Sequence, residues 1–386
     1  MSLTEFWRHR QPGRLQAMIP DSVYAWRDQL VGNPRFQRWA ARFPLTRGIA
    51  HRQARSAFDL CAGFVYAQVL FACVELELFE LLRANPLPLD DVSRRIGLPP
   101  EPTARLLKAA SSLGLLSQRS GGRYGLGLQG AAIAGNPSIA LMVQHHAMLY
   151  RDLADPVALL KGEPTSRALA AYWPYATTKS PSALASGEVE GYSRLMSASQ
   201  EFIAGDVIDS YAFETHKVLL DIGGGEGTFL SAVAAKAPAL RLKLFDLPAV
   251  AERAQRKFAD YGLSERAEAI GGSFRSDPLP RGADLISLVR IVHDHDDAIV
   301  MDLLRAARAA LPTNGTLIIA EPFAGVPDAE PIGDAYFGFY LLAMGSGRAR
   351  TPAELGEMLA AAGFARVRQA RTPRPLLTGL LVAHPV

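Results

Sequence analysis

"LLDIGGGEGTFL", residues 219–230, decides how the second half of this chain is read. An apolar run ends in Asp221, and Gly223, Gly225 and Gly227 follow at every second position. The run reads as a strand and "GTFLSAVAAKAP" as the helix behind it. The glycines therefore occupy the loop outside a strand's carboxyl end, where backbone must turn tightly and approach a ligand closely. A nicotinamide fold wants G-x-G-x-x-G, with amides at a helix N-terminus free for a pyrophosphate. The spacing here is G-x-G-x-G, and Asp221 and Glu226 add negative charge where a pyrophosphate would sit. A cofactor with an ammonium and a sulfonium prefers that charge. S-adenosylmethionine is the expected ligand, with S-adenosylhomocysteine as product; a glycine-rich turn without a ligand is the plainer alternative.

Downstream, short strands alternate with helices: "LRLKLFDLP", "AEAIGGSF", "ADLISLVRIV", "GTLIIAEPF" and "PLLTGLLVAHPV" are the strands. Such alternation predicts a doubly wound, Rossmann-like α/β sheet over residues 211–386. The second strand ends in Asp246, followed by Leu247; a carboxylate there can accept from both hydroxyls of a ribose.

Upstream the texture differs. Residues 59–82 have a helical pattern, "LPLDDVSRRIGLPP" a short helix that Asp90 or Asp91 can cap and Gly97 can end, and 101–116 a second amphipathic helix. "SQRSGGRYGLG" reads as a hairpin turning at Gly121 and Gly122. Helix, helix, hairpin is the order of a winged helix, placed at 56–135. A DNA reader would offer more than Arg105 and Lys108 on its second helix, so dimer burial is expected rather than nucleic-acid binding. Residues 136–210 read as a helical linker and pocket region. Met142, Met148, Tyr150, Tyr172, Trp173, Tyr175, Tyr192, Met196 and Phe202 there are core, or line a pocket for a large apolar ligand.

Residues 1–55 form a basic arm with ten Arg, no Lys and three acids, although the 386-residue chain is only +3 overall. Trp7, Trp26 and Trp39 lie in it. An arm that packs on the protein itself or on a dimer partner is the favoured reading; because Arg with Trp suits acidic headgroups, contact with a membrane surface is the alternative. Pro12, Pro20, Pro34 and Pro44 interrupt any long amphipathic helix there. The apolar run 60–74 contains Gln68 and is short for a membrane span, and no signal peptide is evident. With Cys61 and Cys73 both read as buried thiols, a cytoplasmic protein is expected, and a peripheral membrane contact through the arm stays open as the alternative.

"VRIVHDHDD", 289–297, ends the fourth strand of the sheet on the rim that carries the glycine loop. His293 is suited to be a general base, since an ordinary imidazole is largely neutral at pH 7. A metal held by His293, His295 and the neighbouring acids lacks a third spaced His/Cys motif. Asp294 and Asp297 read as caps of the next helix, and His295 as a partly exposed packing residue.

"DIGGGEG", "FDLP", "GGSF", "ADLISLVRIVHDHDD" and "AEPF" together resemble the S-adenosylmethionine-dependent O-methyltransferases of the caffeate and acetylserotonin type, over roughly residues 55–386. The resemblance implies a homodimer with an N-terminal winged-helix dimerisation domain. It implies His293 as general base and Glu321 as the acid that orients it. It places Ser273 and Phe274 beside the adenine, with Ser273 replacing the common Asp. Arg290 joins the cofactor-binding set, after Val289 where many members have Lys. The second supporting acid expected near "GRART" is Ala349 here, which implies a less strongly held base. "FDLCAGFVYAQVLFACVEL", the basic arm and "RIVHDHDD" resemble more narrowly the 1-hydroxycarotenoid O-methyltransferases of photosynthetic bacteria. The implied acceptor is the tertiary hydroxyl of an acyclic carotenoid; aromatic polyketides, phenols and bacteriochlorophyll precursors are alternatives, and a non-enzymatic ligand-binding regulator a remote one. Met142, His145, His146, Phe339, Tyr340 and Met344 are the expected acceptor pocket, "DAYFGFYLLAM" being apolar on all sides and hence buried.

Overall fold

The computed structural model describes residues 19–163, 168–172, 200, 203–327, 329–375 and 377–386. Trp7 and the first eighteen residues of the arm lie outside the described residues, as do Trp173, Tyr175, Tyr192, Met196 and Phe202. The chain divides into two compact units, 1–134 and 135–386.

The first unit begins with two short helices, α1 (Asp21–Gly32) and α2 (Pro34–Arg42), before the long helix α3 (Arg47–Glu75). The arm's prolines punctuate these helices rather than preventing them. Pro34 opens α2, where a missing N–H costs nothing, and the Asn33 side chain accepts from Arg35 N at 2.8 Å as its cap. α3 starts twelve residues earlier than the helical pattern from residue 59 suggests, and stops where Glu77 turns left-handed at φ 51°. Its 29 residues include an 18-residue window of mean hydropathy 1.8 that is long and apolar enough to cross a membrane. Only Cys73 and Val74 of α3 are buried, so Cys61 is exposed, contrary to the expectation for both thiols.

α4 (Leu78–Arg83), α5 (Leu89–Ile96) and α6 (Pro100–Ser112) follow, with a three-stranded sheet in the order β1 (Leu87–Pro88), β3 (Arg123–Leu126), β2 (Leu116–Gln118), and then α7 (Leu128–Ala134). This is the winged-helix order. Asp90 and Asp91 sit inside the first turn of α5 and do not cap it; Gly97, left-handed at φ 70°, ends it. Leu78, Val92, Leu107, Ala110 and Leu116 form its fully buried centre.

The second unit opens with α8 (Pro137–Asp152) and contains a seven-stranded sheet. Its strands are β4 (Val218–Ile222), β5 (Arg241–Asp246), β6 (Ala267–Gly271), β7 (Leu285–Val289), β8 (Thr316–Glu321), β9 (Phe364–Ala370) and β10 (Gly379–Pro385), in the spatial order 6-5-4-7-8-10-9. The first five pair in parallel and β10 runs antiparallel to both neighbours. Side chains alternate across the sheet. Leu219, Leu285 and Val289 pack with α9 (Thr228–Lys236) and α10 (Pro248–Asp260) on one face. Leu220, Ile222, Ile286 and Leu288 pack with α11 (Asp297–Ala310) on the other, where α13 (Pro352–Ala361) also contributes. Burial on both faces explains why these strands read as continuous apolar runs. Between α11 and α13 a π-helical turn, Pro331–Phe337, leads into α12 (Gly338–Met344).

Candidate active site

The chain runs outward from β4 through β5 to β6, then returns to lay β7 against β4's other edge. That reversal opens a crevice at the carboxyl ends of β4 and β7, where α/β sheets bind ligands. The glycine loop leaves β4 and the histidine turn leaves β7, so both border the crevice. They touch: a Cβ on Gly223 would lie 2.4 Å from Ile291 Cδ1. Gly223, Gly225 and Gly227 are all left-handed, at φ 68°, 58° and 76°. Above Gly225 a Cβ would meet nothing within 4 Å, which leaves the loop's crest open to a ligand.

Asp221 is buried at the base of this loop. Its Oδ1 accepts from Ser287 Oγ at 2.6 Å, and its Oδ2 has no hydrogen-bond partner among the described residues. Burial raises its pKa to about 7, the Ser287 bond opposing and the Asp246 charge adding to the shift. Asp246 accepts from Gly225 N at 2.8 Å and Leu247 N at 2.7 Å, and burial raises its pKa to about 6 against those bonds. Asp221, buried with one oxygen unbonded, fits a cationic cofactor and opposes a pyrophosphate, whereas Asp246 already feels the Arg253 charge. Glu226 does not share in this, because it pairs with Arg253 at 3.3 Å. Ser273 is buried and ties its own turn: its N donates to Asp277 Oδ2 at 2.8 Å and its Oγ accepts from Arg275 N at 3.3 Å. Phe274 lies edge-on to His295, 5.2 Å between centroids. The residues present therefore fit S-adenosylmethionine: Asp221 would face its positive charge, the Gly223–Gly225 crest its backbone, and Asp246 its ribose.

His293 is buried in a single 3₁₀ turn, Val292–Asp294. Its Nδ1 donates to Glu321 Oε2. Glu321 stands at the end of β8, and its Oε1 also accepts from Ile291 N at 2.8 Å and Val292 N at 2.7 Å. One carboxylate thus holds both the ring and the backbone that carries it. The bond at Nδ1 leaves Nε2 as the acceptor nitrogen. Asp294 is not a helix cap: it is buried, with Oδ1 3.1 Å from His293 Nε2. Burial alone would lower the pKa of His293, but Asp294 and Glu321 outweigh it and Arg290 only partly opposes them, so it is raised. His295 has a different surrounding; burial and the Arg275 charge lower its pKa to about 4. Among the described residues no group of three His, Cys, Asp or Glu is placed to hold a metal.

The segment in which a second acid was sought holds the base by other means. Ser346 Oγ donates to Asp294 O at 3.0 Å, and Gly347 N to Asp296 Oδ1 at 3.0 Å. Arg350, buried, donates to Val292 O and His295 O, each at 2.8 Å, and to Asp297 Oδ1 at 2.6 Å. Asp297 also receives Arg348 at 3.0 Å, so it anchors this clamp instead of capping α11. A Cβ on Gly347 would lie 2.1 Å from His293 O. Arg290, left-handed at φ 59° without being glycine, enters the turn from β7. Its charge opposes the rise in the pKa of His293. The clamp was missed because an acid was expected there; "SGRAR", with Arg348 and Arg350 on either side of Ala349 as counter-charges for the acids of "HDHDD", was the available signal.

Aromatic side chains border the base. The π-helical turn brings Phe337 edge-on to His293 at 5.7 Å and Tyr336 to 5.1 Å from Phe337. Tyr336 O–H donates to Met142 Sδ at 3.9 Å and meets His146 Nε2 at 2.7 Å; Tyr340 meets His145 Nε2 at 2.7 Å. Burial lowers the pKa of His145 to about 4 and also lowers that of His146, so both are neutral imidazoles, each with Nε2 on a phenol. Met142, His145, His146 and Tyr340 thus come together. Met344 is fully buried in a cluster with Leu149 and Leu169, as core. Phe339 is exposed; one helical turn cannot aim residues 337 and 339 alike, and Phe337 is the ring at the base.

Comparison with known proteins agrees with this geometry. An O-methyltransferase domain model matches residues 150–365, and an O-methyltransferase dimerisation domain model matches 58–132. The chain belongs to the O-methyltransferase family, and is an S-adenosylmethionine-dependent enzyme of that family with a dimerisation domain. Demethylspheroidene O-methyltransferase of Cereibacter sphaeroides is 42% identical over 92% of this chain and 93% of its own. That of Rhodobacter capsulatus is 43% identical over 89% and 85%. Acetylserotonin O-methyltransferase of Mus musculus is 29% identical over 84% and 87%. A match to 92% of the chain necessarily enters the stretch ahead of residue 58. Among solved structures, LaPhzM superposes with a TM-score of 0.71 at 25% identity, covering 86% of this chain and 99% of that one.

Proposed function

We propose that the acceptor is a hydroxyl of a lipophilic molecule, namely the tertiary hydroxyl of an acyclic carotenoid, and that the enzyme works as a homodimer. The similarity to two demethylspheroidene O-methyltransferases over most of both chains carries this reading. The surroundings of the base support it. Phe337, Tyr336 and Met142 offer an apolar face, and the polar ends of Tyr336 and Tyr340 are taken up by His146 and His145.

The cofactor, when bound, supplies an electrophilic methyl group. The chain's own task is to hold the acceptor oxygen and take its proton. His293 Nε2 receives that proton, while Glu321 at Nδ1 fixes the tautomer and stabilises the imidazolium that forms. A phenol ionises near pH 10, but an aliphatic hydroxyl is nearer water, about 16. No imidazole deprotonates such a group beforehand, so proton removal accompanies attack and positioning carries more of the barrier. A base whose pKa is raised by two carboxylates suits that demand.

The test is transfer of a labelled methyl group from S-adenosylmethionine to panels of 1-hydroxycarotenoids, phenols and tetrapyrroles. Transfer to the carotenoids is expected; transfer to phenols alone would replace this acceptor with an aromatic one. His293→Ala should lose about 10²–10⁴-fold in kcat with cofactor binding intact. Full activity in that variant would remove the base.

A further inference from the structure

Helices α1 and α2 are poorly accounted for by the chain's own packing. α1 has twelve residues and buries none of them; α2 has nine and buries only Ala40. Isolated helices of this length are marginal in water, and most helical stability comes from burying an apolar face. Yet they expose large apolar groups: Trp26 is 64% exposed and Trp39 51%, with Val23, Val31 and Phe43 also outside. Phe36, Trp39 and Phe43 form an aromatic row along α2, Trp39 and Phe43 stacked at 5.0 Å. Nothing among the described residues covers this surface.

Charge selects the occupant. Residues 19–57 hold seven arginines, no lysine and only Asp21 and Asp28 as acids. One of those acids is already paired, Arg27 to Asp28 at 2.7 Å. A second copy of the same surface would bring the same positive charge against it. Residues 1–18 are themselves basic, with Arg8, Arg10 and Arg14 against Glu5. The O-methyltransferase dimerisation model matches residues 58–132, which takes in the exposed Leu60 and Phe64 of α3 but not α1 or α2. Indole rings flanked by guanidinium groups match the boundary between headgroups and acyl chains of an anionic bilayer. An open concavity at the α1–α2 corner, about 460 Å³ and lined by Gln29, Asn33, Arg35 and Arg38, has the size and charge to receive a lipid phosphate group.

We propose that α1, α2 and the first turns of α3 dock peripherally on an anionic lipid surface, Trp26 and Trp39 entering the interface and the arginines pairing with lipid phosphates. This stands on the arm alone and does not depend on the acceptor's identity.

Full-length protein would be sedimented with phosphatidylglycerol-containing vesicles and with phosphatidylcholine vesicles. Binding to the anionic vesicles, released by high salt, is expected, with little binding to the neutral ones. Arg35→Glu/Arg38→Glu/Arg42→Glu should weaken it by about a hundredfold, each headgroup contact being worth about fivefold. Arg35→Lys/Arg38→Lys/Arg42→Lys should retain most of it, and Trp26→Ala/Trp39→Ala should weaken it at every salt concentration. Unchanged S-adenosylmethionine binding certifies the fold of each variant. Four results would overturn the proposal: no vesicle binding; equal binding to both vesicle types; salt-resistant binding that survives charge reversal, which would make α3 a span; or a changed oligomeric state on charge reversal, which would make the arm an interface between copies.

Discussion

Oδ1 of Asp294 stands 3.1 Å from Nε2 of His293, on the side of the ring that Glu321 leaves open. The acid adjacent to the base in sequence therefore raises its proton affinity at the nitrogen that meets the acceptor. The rising limb of kcat/KM against pH should lie above the ordinary imidazole value of about 6.5. Asp294→Asn should shift that limb downward and lower the plateau, since the base becomes weaker while more of it is neutral. A limb that stays in place would assign the raised pKa to Glu321 alone. Because the folded pKa is raised, the stability gained from His293 is full below about pH 6.5 and is lost as pH rises through the folded value.

Cofactor binding should release protons. Asp221 and Asp246, raised to about 7 and about 6, are partly protonated near neutrality; a cation beside Asp221 and ribose hydroxyls donating to Asp246 favour the charged forms. Affinity for S-adenosylmethionine should therefore rise with pH through that window and level off above it. Calorimetry in buffers of different ionisation enthalpy reads the protons directly. Asp221→Asn should weaken binding and remove the upper part of the pH dependence.

The clamp on the histidine turn should matter as much as the base's own partner. Gly347→Ala places a Cβ 2.1 Å from His293 O at a left-handed position, so a loss of 2 kcal/mol or more in stability is expected, on the order of other steric and backbone-strain substitutions. Arg350→Ala leaves Val292 O and His295 O without their buried donor and should cost about 1–3 kcal/mol together with activity. Arg350→Lys should not restore activity, because an ammonium cannot span the three acceptors. Denaturant unfolding and single-turnover rates would separate the two effects.

Tyr336→Phe should act mainly on the acceptor. It frees His146 and removes the contact with Met142 Sδ, while the ring stays beside Phe337. KM for a large apolar acceptor should change severalfold with kcat nearly constant. An equal fall in kcat and kcat/KM would instead place the hydroxyl in the transition state.

The parts legible in the sequence were those with a local signature. Apolar runs bounded by glycine give the parallel strands, and Asp221, the glycines, Asp246, His293 and Glu321 sit at strand ends that the alternation of elements already predicts. What escaped depends on packing across distance. Asp294 and Asp297 look like caps because acids before a helix usually are, but burial against His293 and the reach of Arg350 reassign them. Phe339 and Phe337 are interchangeable in an apolar run, and only the π-helical turn selects the second. The true length of α3 was hidden because its first turns are charged and exposed, so no periodicity marks them.

The close approach of Gly223 to Ile291 makes two sites answer to each other. Ile291 offers its amide to Glu321, so any ligand that settles the glycine crest also narrows the excursions of the base's support. Donor and acceptor binding then share a coupling free energy, and linkage makes it reciprocal: whichever arrives first should tighten the other by the same factor.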